Sequence, residues 1–210
     1  MAPSRVFVLS PARSDGERAK LLLNPQTAFP LAVRLREPDG AELGDVFGFL
    51  SGLYFRGKLT YARTFAAAPR RVPPILIITA DRGLMPPETR VRRDDLERFS
   101  GIDISAGDAR YVGPLERDLA TLATTLPRRA QIILLGSIAT GKYVDPFVAA
   151  FGDRLLFPID FVGRGDMSRG GLLLRSAREG RELDYAPVAG VMRRGPRPPR
   201  LERVRAPKTV

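Results

Sequence analysis

Three short apolar runs constrain the fold of this chain most. They are Val6-Phe7-Val8-Leu9, Ile75-Leu76-Ile77-Ile78 and Ile132-Ile133-Leu134-Leu135. Each has the length of a strand and lacks the in-and-out alternation of a half-solvated sheet. Segments with helical spacing lie between them. Leu115, Leu119, Leu122 and Leu126 recur at three- and four-residue intervals, and Val46, Leu50 and Leu53 share a face. Buried strands alternating with such helices predict an α/β fold: a single compact domain with a mostly parallel, helix-covered sheet.

The finer reading follows from turn and breaker residues. A short helix started by Asp15-Gly16 and running through Leu23, and another over residues 93–99, are expected. A fourth strand is expected over residues 154–157 and an extended segment over 183–188. Residues 24–41, rich in Pro, Gly and Asp, read as a surface excursion. Residues 43–66 read as a helix divided at Gly57. Pro114 is read as the first residue of its helix, where its missing N–H is harmless. Residues 1–190 form the domain, and residues 191–210 form a proline-containing tail expected to be disordered.

Composition removes several function classes. The chain of 210 residues has no Cys and no His. Disulfides, thiolate metal sites, cysteine nucleophiles and the Ser-His-Asp arrangement are excluded, and so is ordinary zinc chemistry. No metal and no cofactor is expected. The first residues lack an apolar leader, and no run approaches bilayer length, so a cytoplasmic protein without a membrane partner is expected.

The net charge is +11. Seven basic residues, Arg193, Arg194, Arg197, Arg200, Arg203, Arg205 and Lys208, stand against Glu202 alone in the tail, which makes +6 of that total. A polyanion such as nucleic acid is the natural partner of this distribution. A solubilising tail is the plain alternative.

The loops that leave the carboxyl ends of parallel strands build the binding crevice. Here they cover residues 10–13, 79–83, 136–143 and 163–169. The last has the most chemistry: Gly163-Arg164-Gly165-Asp166-Met167-Ser168-Arg169. Glycines let a ligand approach the backbone, helix N–H groups point outward, and arginine forks hold phosphate or carboxylate. Residues 136–142 fit G-x-x-x-x-G-K, but Tyr143 replaces the magnesium-binding Ser/Thr. Asp145-Pro146 sets the expected helix start near residue 146, too late to cradle phosphates. This segment is read as a basic turn rather than a nucleotide loop. Gly163-x-Gly165-x-x-Ser168 lacks the third glycine of a dinucleotide fingerprint.

Arg56, Thr60 and Arg63 share a helix face that is read as solvated, with Lys58 off it. Tyr54, Tyr61, Tyr143 and Tyr185 are core aromatics or stacking platforms. Asp81, Asp145, Asp160 and Asp166 are the carboxylates available for acid-base work in a chain without His, and each also suits a cap or an arginine partner.

Several segments, in order, resemble the YaaA-like family of bacterial peroxide-stress proteins. Leu9-Ser10-Pro11-Ala12-Arg13 is similar to its opening Leu-Ser-Pro-Ala-Lys. Leu53-Tyr54 looks like its Leu-Tyr-x-Gly helix. Residues 78–87 resemble its Ser-Ala-x-x-Gly-Leu strand end, and residues 137–144 its Ala-Ser-x-x-Tyr element. Arg164-Gly165-x-Met167-Ser168-Arg169 resembles its Arg-Gly-x-Met-Ala-Arg, and Leu183-Asp184-Tyr185 stands at its Phe-x-x-x-Gly-Tyr close. The resemblance spans residues 6–190. It implies an α/β domain with a basic cleft that binds DNA, in oxidative-stress tolerance or DNA protection. Arg13, Lys142, Arg164 and Arg169 would contact phosphate, with Arg82 at the rim.

Two other readings stay open. One is an enzyme acting on a nucleotide or nucleobase in a glycosylase-like manner, with Asp81 or Asp166 as acid or base. The other is a domain whose arginines serve folding.

Overall fold

The computed structural model describes residues 3–138, 141–189, 195, 196, 198, 199 and 201. The apolar runs become β1 (Arg5–Leu9), β3 (Ile75–Ile78) and β6 (Gln131–Leu135), with β7 at Leu155–Pro158. They lie parallel in the order β3-β1-β6-β7. Val8 stands opposite Leu76 on one side and Leu134 on the other. Both faces of these strands are buried, which is why they carry no polar alternation. Antiparallel edge strands close the sheet: β4 (Leu84–Met85) beside β3 and β8 (Tyr185–Pro187) beside β7.

Helices cover the sheet. In chain order they are α1 (Glu17–Leu23), α2 (Pro30–Arg36), α3 (Leu43–Ser51), α4 (Leu53–Phe65), α5 (Arg93–Ser100), α6 (Ala109–Thr125), α7 (Gly141–Phe151) and α8 (Asp166–Glu179). A short antiparallel pair, β2 (Ala41–Glu42) with β5 (Arg90–Val91), stands apart from the main sheet. One contiguous core runs from β1 and β6 to the inner faces of α3, α4, α6 and α7. This is the expected α/β domain with a mostly parallel sheet.

Four local expectations are corrected. The segment expected to be a surface excursion contains α2, whose Pro30 occupies the first turn and whose Ala32 and Leu35 are buried. The division of residues 43–66 falls at Gly52, not Gly57. Gly52 has φ +59°, a conformation other residues resist. Gly57 instead lies at a helix crossing: a Cβ there would stand 2.7 Å from the Gly170 carbonyl oxygen.

Pro114 lies inside α6, which starts at Ala109 on an Asp108 cap that accepts from the Arg110 N–H. A residue before proline resists helix because its Cβ meets the ring. Gly113 has no Cβ and removes that obstacle. Likewise α7 begins at Gly141 rather than near residue 146, with Pro146 inside it. Pro146 leaves only the Lys142 carbonyl without its helical donor.

The tail falls largely outside the described residues. Those that are described approach the turn before α8. Gly163, at φ +72°, faces Pro196, and Arg164 donates to the Pro199 carbonyl at 3.3 Å.

Candidate functional site

The chain leaves β1 toward β3 on one side and leaves β6 toward β7 on the other. The gap between the carboxyl ends of β1 and β6 is therefore the topological switch point, where open α/β sheets place their ligands. Ser10 and Gly136 stand there, immediately after the two strands. The Ser10 N–H donates to the Leu135 carbonyl at 3.1 Å and ties the two ends together.

Lys58 reaches this point from α4. Its side chain is buried, with the residue only 1% exposed. The ammonium nitrogen donates to the Ser10 carbonyl at 2.7 Å and to Ser10 Oγ at 2.9 Å. It rests on the rings of Tyr54 and Phe55, at 4.7 and 4.8 Å from their centroids. Burial disfavours the charged amine and lowers its pKa to about 7. Asp166 opposes that shift, and Arg169 adds to it. The burial therefore favours the neutral amine.

Two glycines make this approach feasible. A Cβ on Gly170 would lie 2.9 Å from the Leu53 carbonyl group and from the Tyr54 Cα. With Gly57 opposite, the α4 and α8 backbones touch. The contact brings the first turn of α8, with Asp166 and Arg169, against the Tyr54–Lys58 stretch of α4.

Tyr143, in the first turn of α7, completes the group. Its hydroxyl accepts the Ser137 N–H at 3.1 Å and lies beside Ser10. Burial raises its pKa, while hydrogen bonds from Ser10 and Ser137 and the Arg169 charge pull the other way. A Cβ on Gly136 would lie 3.0 Å from Ser10 Oγ and 3.1 Å from the Tyr143 hydroxyl, so only glycine leaves room for both.

Tyr54 contributes a buried hydroxyl that makes no hydrogen bond of good geometry among the described residues, with the Arg169 guanidinium beside it as a loose donor. Burial pushes its pKa up, and the neighbouring Arg169 partly offsets this. A buried unmade hydrogen bond is unfavourable. Tyr54→Phe is therefore expected to leave stability unchanged or to raise it by up to about 1 kcal/mol. Urea unfolding checks this. A loss above roughly 1 kcal/mol would mean that the hydroxyl is bonded in the folded chain.

The five basic residues expected to meet phosphate fall into three places. Arg13 and Lys142 line one cleft of about 630 Å³, with Pro11, Ile102 and Tyr143 among its other walls. Arg13 is 81% exposed and pairs with Asp15 at 2.6 Å. Arg164 and Arg169 stand at the start of α8 and are not among the residues lining that cleft. Arg169 is only 12% exposed. It stacks on Phe161 and donates to the Phe161 carbonyl at 3.1 and 3.2 Å, with Asp166 3.7 Å away. Arg164 donates to the Asp160 carbonyl at 2.9 Å and to Ser168 at 3.3 Å.

Arg82 and Asp81 lie elsewhere, in an ion-pair cluster that fixes α5. Arg82 pairs with Asp95, and Arg98 bridges Asp95 at 2.7 Å and Asp81 at 3.0 Å. Asp145 folds back toward Gly141. Arg56, Thr60 and Arg63 are exposed, as expected of a solvated face, and line a shallow groove with Arg34.

Lys58 is the residue that sequence reasoning passed over. The signal was present. Tyr54, Lys58 and Tyr61 stand at i, i+4 and i+7, so this lysine interrupts an apolar face.

Compared with protein-family models, curated proteins and solved structures, the chain matches none. Among the described residues, no helix is long and apolar enough to cross a membrane.

Proposed function

We propose that the chain is a DNA-binding protein of the YaaA-like kind, acting in oxidative-stress tolerance or DNA protection. Arg13 and Lys142, joined on one cleft at the strand ends, carry this reading. Their position at the switch point suits a phosphate backbone laid across the loops. The Arg13–Asp15 pair is exposed, so a phosphate competes for the guanidinium with little loss. Arg164 extends the cationic edge. Arg169, largely buried, positions the start of α8 beneath it. Arg82 stays with Asp95 and takes no part.

Each phosphate contact releases counterions and steepens the salt dependence of log affinity by about 0.9 on duplex DNA. Arg13→Ala with Lys142→Ala is therefore expected to weaken duplex binding and to flatten that slope by about 1.8. Fluorescence anisotropy across a salt series measures both. An unchanged slope and affinity would remove the cleft from the interface.

An enzymatic reading draws on a different observation, the buried amine of Lys58. It shifts the chemistry from Asp81, held by Arg98, toward the Ser10–Lys58 contact.

A further inference from the structure

We propose that Ser10, Lys58 and Tyr143 form an acyl-transfer centre in which Ser10 is the nucleophile and Lys58 its general base. The inference is independent of the nucleic-acid reading. A serine hydroxyl is a weak nucleophile until a base takes its proton. His is absent from the chain. Lys58 Nζ, 2.9 Å from Ser10 Oγ, is at the right distance for that role: the neutral amine keeps its N–H bond to the Ser10 carbonyl and turns its free pair to the hydroxyl, whose proton rotates from Tyr143 toward it. An ordinary lysine is charged and holds no free pair. This one is desolvated by α4, the Tyr54 and Phe55 rings and the strand ends, which favours the neutral amine. The charged and titratable groups that face it are Asp166 and Arg169 from α8, while Tyr54 and Tyr143 line its surroundings from α4 and α7.

A lysine that only capped the end of β1 would need the carbonyl of Ser10 alone. Here the hydroxyls of Ser10 and Tyr143 also converge, over a glycine that leaves them space. The arrangement is nucleophile, amine and phenol about one oxygen. Ser10 is buried just behind the wall of the cleft of about 630 Å³, whose lining includes its neighbour Pro11 and Tyr143, so a substrate would approach from that cleft. The buried Tyr54 hydroxyl, held only loosely by Arg169, and the Arg169 charge are available to the oxygen that becomes negative. The substrate class that fits is an ester or thioester of a carboxylic acid with an anionic group near the scissile carbonyl.

The steps balance. The neutral Lys58 amine takes the Ser10 Oγ proton as Oγ bonds to the carbonyl carbon, and the carbonyl electrons move to oxygen. The carbonyl re-forms as the bond to the leaving alcohol or thiol breaks. That group takes a proton from the Lys58 ammonium, directly or through the Tyr143 hydroxyl, which is then reprotonated by Lys58. Ser10 is left as an ester. Water then gives its proton to Lys58, bonds to the same carbon and displaces Ser10 Oγ, which recovers the proton. A carboxylic acid is released.

The test uses the full chain with a fluorophosphonate and with p-nitrophenyl acetate, read by intact mass, peptide mapping and pH-rate profile. The expected result is a single phosphonyl adduct on Ser10, absent in Ser10→Ala. Lys58→Met is expected to slow adduct formation by roughly 100-fold or more. The wild-type rate is expected to rise with pH to a plateau, with a midpoint near 7. That profile needs no variant, so misfolding of Lys58→Met leaves the proposal testable. No adduct on the folded wild type between pH 6 and 9, an adduct that persists in Ser10→Ala, or a rate that rises only above pH 9 would each overturn the proposal.

Discussion

Gly170→Val is expected to destabilise the domain by roughly 3 kcal/mol or more, at the upper end of what overpacking does. The atoms a Cβ would meet are the carbonyl carbon and oxygen of Leu53 and the Cα of Tyr54, all 2.9 Å away and all backbone. A flexible side chain turns aside at small cost, but a helix backbone moves only as a unit. Gly57 opposite is equally close to the Gly170 carbonyl, so neither helix has slack. Valine must push α8 off α4 and disturb the seating of Arg169 over Phe161. Gly16→Ala is the control, because nothing lies within 4 Å of its Cβ position and its φ is −86°. It is expected to change stability by less than about 1 kcal/mol. Urea unfolding of both variants, followed by circular dichroism, separates these outcomes. Equal small effects would mean that the helices do not cross at these glycines.

The second large effect is in pH. The unfolded chain holds Lys58 with its ordinary pKa of 10.5, while the folded chain lowers it to about 7. Between these values the unfolded state binds a proton that the folded state does not, so this residue makes stability rise with pH. Below pH 7 both states are protonated and the burial penalty is present in full. The difference in unfolding free energy between wild type and Lys58→Met is therefore expected to shift in favour of wild type by up to about 1.4 kcal/mol per pH unit from pH 7 toward 10. Taking the difference cancels the titration of the buried tyrosines. Chemical denaturation at several pH values provides it. A difference that stays flat over this range would mean that Lys58 is charged inside the fold.

The fold was readable from sequence where burial dictates composition. β1, β3 and β6 are apolar on both faces because both are covered, and such runs have few alternatives. α2, β2, β4 and β5 were missed because they are short and held by neighbours: β4 pairs two residues with β3, and the Leu84 N–H donates to Asp118 of α6 at 2.9 Å. No local pattern encodes a partner 34 residues away. Gly57 rather than Gly52 was read as the helix break for a related reason. A helix-breaking turn and a close helix crossing both require glycine, and only the position of Gly170 tells them apart.

The site was legible in part. The loops were identified, because parallel strands place their following loops along one edge. Arg13 and Lys142 do share a cleft, whereas Arg82 and Asp81 are committed to Asp95 and Arg98. An exposed ion pair such as Arg13–Asp15 and a largely buried one such as Arg82–Asp95 look alike in a sequence. Lys58 was set off the solvated face but given no role, because lysine is seldom buried. The tyrosines at either side of it on the helical face were the better guide.

The central claim is that the ends of β1 and β6, with α4, α7 and α8, enclose a lysine amine that is substantially neutral at physiological pH. The chain has only four lysines, at positions 20, 58, 142 and 208, so their side-chain resonances are readily assigned by substitution. Selective ¹³Cε and ¹⁵N labelling of lysine, titrated by NMR from pH 5 to 11, measures the claim directly. The account predicts that the resonance lost in Lys58→Met titrates with a midpoint near 7. A Lys58 midpoint near the ordinary value of 10.5 would contradict it.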